Sequence, residues 1–286
     1  MKKILLFFLI IIVFIALFSL VLALVHNTAM PIQIGEKVAL IRVEGIILDS
    51  KKTIEEIRKY AKDSSVKAVV LRVDSPGGGV APSQEIYDEI IKLKEKKKVV
   101  VSMGSIAASG GYYISSPADM IIANAGTLTG SIGVIMELPN FEGLMEKIGV
   151  KTVVIKSGRH KDMASAFRTM TAQERKILQD LLDDVHDQFI TAVSEGRGME
   201  YEEVKKLSDG RIFTGKKAME LGLVDELGNL NYAIKKAGEL GGIEGEPRVV
   251  SSKKRIGFWD ILSGNLPEEL MKKGLTTVRL SYIFAP

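Results

Sequence analysis

Cysteine is absent from the 286 residues, which excludes disulfides, thiol nucleophiles and cysteine-ligated metal sites. Its absence does not fix the compartment, because many extracytoplasmic proteins manage without disulfides. Histidine occurs only three times, as His26, His160 and His186. No two of them have H-x-x-x-H spacing, so neither a zinc site nor any other metal or cofactor is expected. Excess charge is scarce too: the formal net charge is +4, and Lys2 and Lys3 account for two of it. So balanced a chain carries no electrostatic footprint for nucleic acid. Its length suits one large domain or two small ones.

What the chain does have is an uninterrupted apolar run, Ile4 to Val25, with one serine and no charge. As a helix it would be roughly 33 Å long, enough to cross a bilayer core. A removable signal has a shorter apolar stretch and a small-x-small exit, whereas here the exit reads LVHNTAM. The run is therefore read as an uncleaved transmembrane anchor over 4–25. Residues 1–3 would stay cytoplasmic and the rest would lie outside the cell membrane. A tether follows at 26–36.

From residue 37 strand and helix signals alternate. VALIRVEGII (38–47), KAVVLRV (67–73), KVVVSM (98–103), DMIIAN (119–124), SIGVIM (131–136) and KTVVIK (151–156) read as strands, most of them apolar and β-branched. Helices are expected over 53–62, from about Ser83, at AASGGYYISS and near 140–147. The longest begins at a Thr171-x-x-Glu174 capping box and continues through Leu178, Leu182, Val185 and Phe189 to Gly196. This order predicts an α/β domain over 37–250 with a mostly parallel sheet. Residues 251–286 break the pattern and are read as a flexible tail whose end, LSYIFAP, is apolar enough to visit a groove. The run KLKEKKK (92–98) is read as a solvated helix end.

Three stretches could carry chemistry. GRIFTGKK (210–217) has phosphate-loop spacing, but Lys217 stands where Ser or Thr should hold magnesium, and a glycine-bounded turn explains it. DSPGGG (74–79) ends a buried strand. It is either an ordinary turn or a set of unobstructed N–H groups facing an anion. In MGSIAASGGYYIS (103–115), Ser109 also follows a buried strand, next to Gly110 and Gly111, which let backbone approach a ligand. A helix start there favours developing negative charge. A serine nucleophile needs a base. His186 sits in the long helix among Asp183, Asp184 and Asp187 and is read as a surface residue. His160 is possible but adjoins a better candidate, Lys161, 52 residues after Ser109, though a lysine in a loop is ordinarily just solvated. Asp74 and Asp162 are read as structural turn residues, and Arg168 as an ion-pair partner.

DSPGGG, GSIAASGGYYIS, TGSIGVI and SGRHKDMAS occur in that order, and GRIFTGKKAMELGLVDELG (210–228) follows them. Together they resemble the short form of the signal peptide peptidase A family, membrane-anchored Ser-Lys peptidases. The resemblance spans about residues 36–240. It implies an α/β Clp-protease/crotonase-like fold with repeated β-β-α units, preceded by one N-terminal transmembrane helix. It implies Ser109 as nucleophile, Lys161 as general base, Gly78 and Gly110 as oxyanion donors and Ser131 as the hydroxyl that holds the lysine amine. It further implies a serine endopeptidase acting on cleaved signal peptides and similar apolar peptides at the membrane, in a homo-oligomer whose sites are shared between subunits. The alternatives are a related membrane Ser-Lys peptidase acting on one membrane protein, a non-catalytic scaffold on the same fold, and a crotonase-type coenzyme A enzyme.

Overall fold

The computed structural model describes residues 11, 13–19, 35–252 and 281–283. Met1–Gly35 and Glu36–Pro286 are separate units, and every element below belongs to the second. Among the described residues no helix is long and apolar enough to cross a membrane. Most of the anchor expected at 4–25 lies outside those residues.

The sheet is built on three long parallel strands, β1 (Lys37–Glu44), β2 (Val66–Ser75) and β4 (Lys98–Ala108). Their apolar residues run almost without a break because both faces are covered. On one face Ala39, Ile41, Val69, Leu71, Val99 and Val101 belong to the main core; on the other, Val38, Leu40, Ala68, Val70 and Val100 form a second cluster. This is the two-residue period of a strand, expressed as two cores. Helices α1 (Lys51–Lys62) and α2 (Val80–Lys94) contribute Ile57, Tyr60, Ile86, Ile90 and Leu93 to the first. Ala233 and Ala237 of the C-terminal helix (Leu230–Leu240) join the second. At its far edge β1 pairs in parallel with β9 (Arg248–Ser251).

β4 serves two partners in succession. Val100–Ser102 pair with β5 (Met120–Ala123), and Ile106–Ala108 pair with β6 (Leu128–Gly130). Between β2 and β4 the register slips: Val73 opposes Met103, but Ser75 opposes Ala107. Asp74 fills the slack, its Oδ1 accepting from the Ile106 N–H at 3.1 Å. That is the backbone-capping role expected of it.

The expected DSPGGG turn contains a short strand, β3 (Gly77–Gly79), and α2 starts at Val80, three residues earlier than its apolar face suggested. α3 (Gly110–Ser115) and α4 (Glu142–Lys147) fall where expected. α5 (Ala172–Arg197) carries the Thr171/Glu174 capping box in full. Two expected strands do not form. Residues 151–156 form no strand with any described residue, with Val153 85% and Ile155 97% exposed, and among the described residues 131–136 makes a single bridge at Ile135. Their β-branched side chains favour extension, but a strand also needs a ladder, and among the described residues none reaches 151–156. Lys97 is another correction. It is not merely solvated, because its Nζ donates to the carbonyls of Asp63 and Val66. GRIFTGKK folds as β7 (Ile212–Thr214) running into α6 (Tyr201–Lys206)'s successor helix α7 (Gly215–Glu220), capped by the Thr214 hydroxyl.

Candidate active site

Ser109 sits where β4 gives way to α3. Its N–H donates to the Gly130 carbonyl at 2.8 Å and its own carbonyl accepts from Tyr113 at 2.8 Å. Held at both ends, it adopts φ 54°, ψ −120°, a conformation rarely taken by a residue with a Cβ. Such strain persists only where the surroundings over-determine it, and here they do: Ser109 is 1% exposed. Its Oγ is buried and has no hydrogen-bond partner among the described residues. A buried hydroxyl left without a partner costs free energy, so the arrangement suits a group kept for chemistry. Gly111 explains part of the glycine pair, since a Cβ there would stand 2.7 Å from the Ser75 carbonyl oxygen.

β3 lies beside this serine. Ile47 N–H donates to Gly77 O at 2.9 Å, and Gly79 N–H donates to Ile47 O at 2.8 Å. The Ser75 and Ser83 hydroxyls complete the brace, accepting from Gly77 N–H and donating to Gly79 O. Because successive backbone groups alternate along a strand, the N–H and C=O of Gly78 point away from Ile47, toward the opposite edge. A Cβ on Gly78 would lie 2.1 Å from the Ile47 oxygen, so only glycine fits. That opposite edge is occupied: β10 (Ser281–Ile283) pairs with β3 antiparallel, Tyr282 opposite Gly78. The tail was expected to be a flexible arm, yet its last described segment is a strand. The rest of 253–286 lies outside the described residues.

Ser131 has a positive φ as well, 49°, and its N–H donates to Arg211 O at 2.8 Å. Together with Ile135, Asp183, His186 and Asp209 it lines a cavity of about 520 Å³. His186 therefore departs from its expected surface role. Its Nε2 is buried on this wall with no partner among the described residues. A period-3.6 pattern could have shown this, since His186 shares a helix face with Leu182 and Phe189.

Lys161 is exposed, on a turn closed by its N–H to Gly158 O at 3.1 Å. Among the described residues its amine has no ion-pair partner. The turn itself is firmly held. Arg168 grips both oxygens of Asp162, Nε to Oδ2 at 2.9 Å and Nη2 to Oδ1 at 3.0 Å, and also reaches the Asp162 carbonyl at 3.0 Å. Nη1 of the same guanidinium donates to Glu174 Oε2 at 2.9 Å. Hydrogen bonds from Arg168 and then Lys156 hold the Asp162 carboxyl well below its usual range. Arg168, with the Thr171 N–H, brings Glu174 down to about 2. The single chain thus brings Ser109, Gly110, Gly78 and Ser131 to one region around the ends of β3, β4 and β6, while Lys161 sits on a separate, solvent-facing segment.

Residues 91–244 match peptidase family S49. The chain is 47% identical over 210 residues to a protein of Synechocystis sp. named as a protease, covering 73% of this chain and 76% of that one. It is 39% identical over 214 residues to an Enterococcus faecium protein named as signal peptide peptidase SppA, covering 70% and 62%. With Protease 4 of Haemophilus influenzae it shares 41% over 217 residues, 72% of this chain and 35% of that longer relative. With a family match over more than half its length and a relative 47% identical over 76% of that relative's length, the chain belongs to peptidase family S49.

Proposed function

We propose that the protein is a serine endopeptidase working through a Ser109–Lys161 dyad, on a Clp-protease/crotonase-like arrangement of repeated β-β-α units. The observation that carries this reading is the strained, buried, unpartnered Ser109 hydroxyl at the end of a central strand, beside a strand edge able to bind extended backbone. An extended substrate would add to β3 as β10 does, and Gly78 N–H and Gly110 N–H would receive the oxyanion. Neutral Lys161 takes the Ser109 proton, and Oγ attacks the scissile carbonyl. The lysine ammonium then protonates the leaving amine as the C–N bond breaks. Water attacks the acyl-enzyme, giving a proton to the neutral lysine, and the lysine ammonium passes that proton to Ser109 Oγ as the acyl C–O bond breaks. Ser131 Oγ orients the amine between steps.

The lysine comes from a neighbouring copy. Two features support this: Lys161 is exposed, and the segment leading to it carries bare apolar side chains, Leu144, Ile148, Val153 and Ile155, of the kind that homo-oligomer contacts cover. Burial against a second subunit would desolvate the amine, and desolvation favours the neutral form that a base needs. The substrates are cleaved signal peptides and similar apolar peptides. Residues 4–25 hold the enzyme in the membrane through the 26–36 tether, with the 37–250 domain on the extracytoplasmic side. The tail segment β10 acts as a resident occupant of the substrate edge.

A fluorophosphonate probe tests the core of this reading. It should label Ser109 in the assembled protein, with labelling and peptidase activity both lost in Ser109→Ala and activity lost in Lys161→Ala. A folded protein that neither labels nor cleaves would point instead to a scaffold.

A further inference from the structure

Next to Lys161 the chain places a carboxylate, Asp162, that would be the natural counter-ion of a lysine ammonium. A carboxylate within a few ångströms of an amine favours the charged form and raises its pKa by about 1–3 units, the reverse of what a general base requires. In the structure that carboxylate is spoken for. Arg168 takes both its oxygens in a fork that lysine cannot make, Lys156 adds a second cation, and only 13% of the Asp162 side chain remains exposed. The other carboxylate held by Arg168, Glu174, is also engaged by the capping box. The Glu142 carboxylate on α4 accepts from the Thr169 hydroxyl. The remaining titratable groups of the segment, Arg159 and His160, can bear only positive charge.

We propose that Arg168 is a positioning residue for the lysine base: it withdraws Asp162 from Lys161 and pins the turn that carries the lysine to the start of α5. This rests on the reading of Lys161 as base. The geometry serves two ends at once. Three contacts to Asp162, one of them to its backbone oxygen, fix the residue adjoining Lys161, so the amine is presented from a stiff turn. Among the described residues no carboxylate is left paired with the amine, the condition a general base requires.

The test is the pH dependence of kcat/KM, measured on the full chain in its membrane or detergent preparation with an apolar fluorogenic peptide. Arg168→Gln frees Asp162 to pair with Lys161, so the activity rise should move to higher pH by about one unit. Adding Asp162→Asn to that variant should return the rise to the wild-type position, and Asp162→Asn alone should leave it there or lower. Arg168→Lys, which keeps the charge but loses the fork, gives a smaller shift in the same direction and covers the case in which Arg168→Gln does not fold. If Arg168→Gln and Arg168→Lys lower activity at every pH with the midpoint unmoved, Arg168 is only structural and the proposal fails. Should Lys161→Ala keep the wild-type profile, it is the base assignment that fails, a different result.

Discussion

Tyr282 lies opposite Gly78 in an antiparallel pair, so the end of the chain occupies the strand edge toward which the Gly78 N–H and C=O point. On the proposed reading, a substrate extended along β3 would compete with it. Ending the chain at about residue 275 should therefore raise kcat/KM toward apolar peptides, chiefly through a lower KM. Unchanged steady-state kinetics in the shortened protein would mean that the tail does not guard the site.

Gly78 is irreplaceable for two reasons that act together. A Cβ would meet the Ile47 oxygen at 2.1 Å, pushing β3 away from its brace, and the N–H assigned to the oxyanion would move with it. Gly78→Ala should lower kcat by about 10²- to 10³-fold in a protein whose far-ultraviolet circular dichroism is unchanged. A loss of only a few-fold would remove Gly78 from the oxyanion site.

The long helix was legible because its signal is local: Thr171 and Glu174 stand three residues apart and the apolar stripe follows at once. The central strands were legible because each is a continuous β-branched run. Elements that depend on a distant partner were not. β9 and β10 become strands only through β1 and β3, far away in sequence. Val153 and Ile155 read as a strand, yet the described residues offer them no ladder. Motif order singled out Ser109, Gly78, Gly110 and Ser131, and folding brings them to one region. Arg168 was legible as an ion-pair partner, but its grip on Asp162 was not, since no local rule says which carboxylate an arginine will choose.

The Arg168 network sets an acid limit on the turn that carries Lys161. The Asp162 and Glu174 carboxyls are depressed on folding, Glu174 to about 2 from an ordinary 4.5. Groups shifted this way contribute stability above their unfolded pKa and lose it as pH falls through the folded one. Amide exchange in residues 156–174 should therefore accelerate as pH drops from about 4.5 toward 2, after correction for the intrinsic pH dependence. In Arg168→Gln that step should shrink, leaving what Lys156 and the Thr171 capping box still hold. A wild-type segment equally protected at both ends of the range would contradict this.

Val153 and Ile155 are almost bare in the single chain and are assigned to subunit contact. Replacing either with Asp puts a charge where an apolar interface should close, so Val153→Asp and Ile155→Asp should sediment as smaller species and lose activity. A particle of wild-type size would take this segment out of the interface.

The most direct test of the account is to mix two inactive proteins, Ser109→Ala and Lys161→Ala, under conditions that let subunits exchange. If each site draws its serine from one copy and its lysine from the next, activity returns on mixing and follows the rate of exchange. If the mixture exchanges subunits yet stays as inactive as either protein alone, Lys161 does not serve the serine of a neighbouring copy.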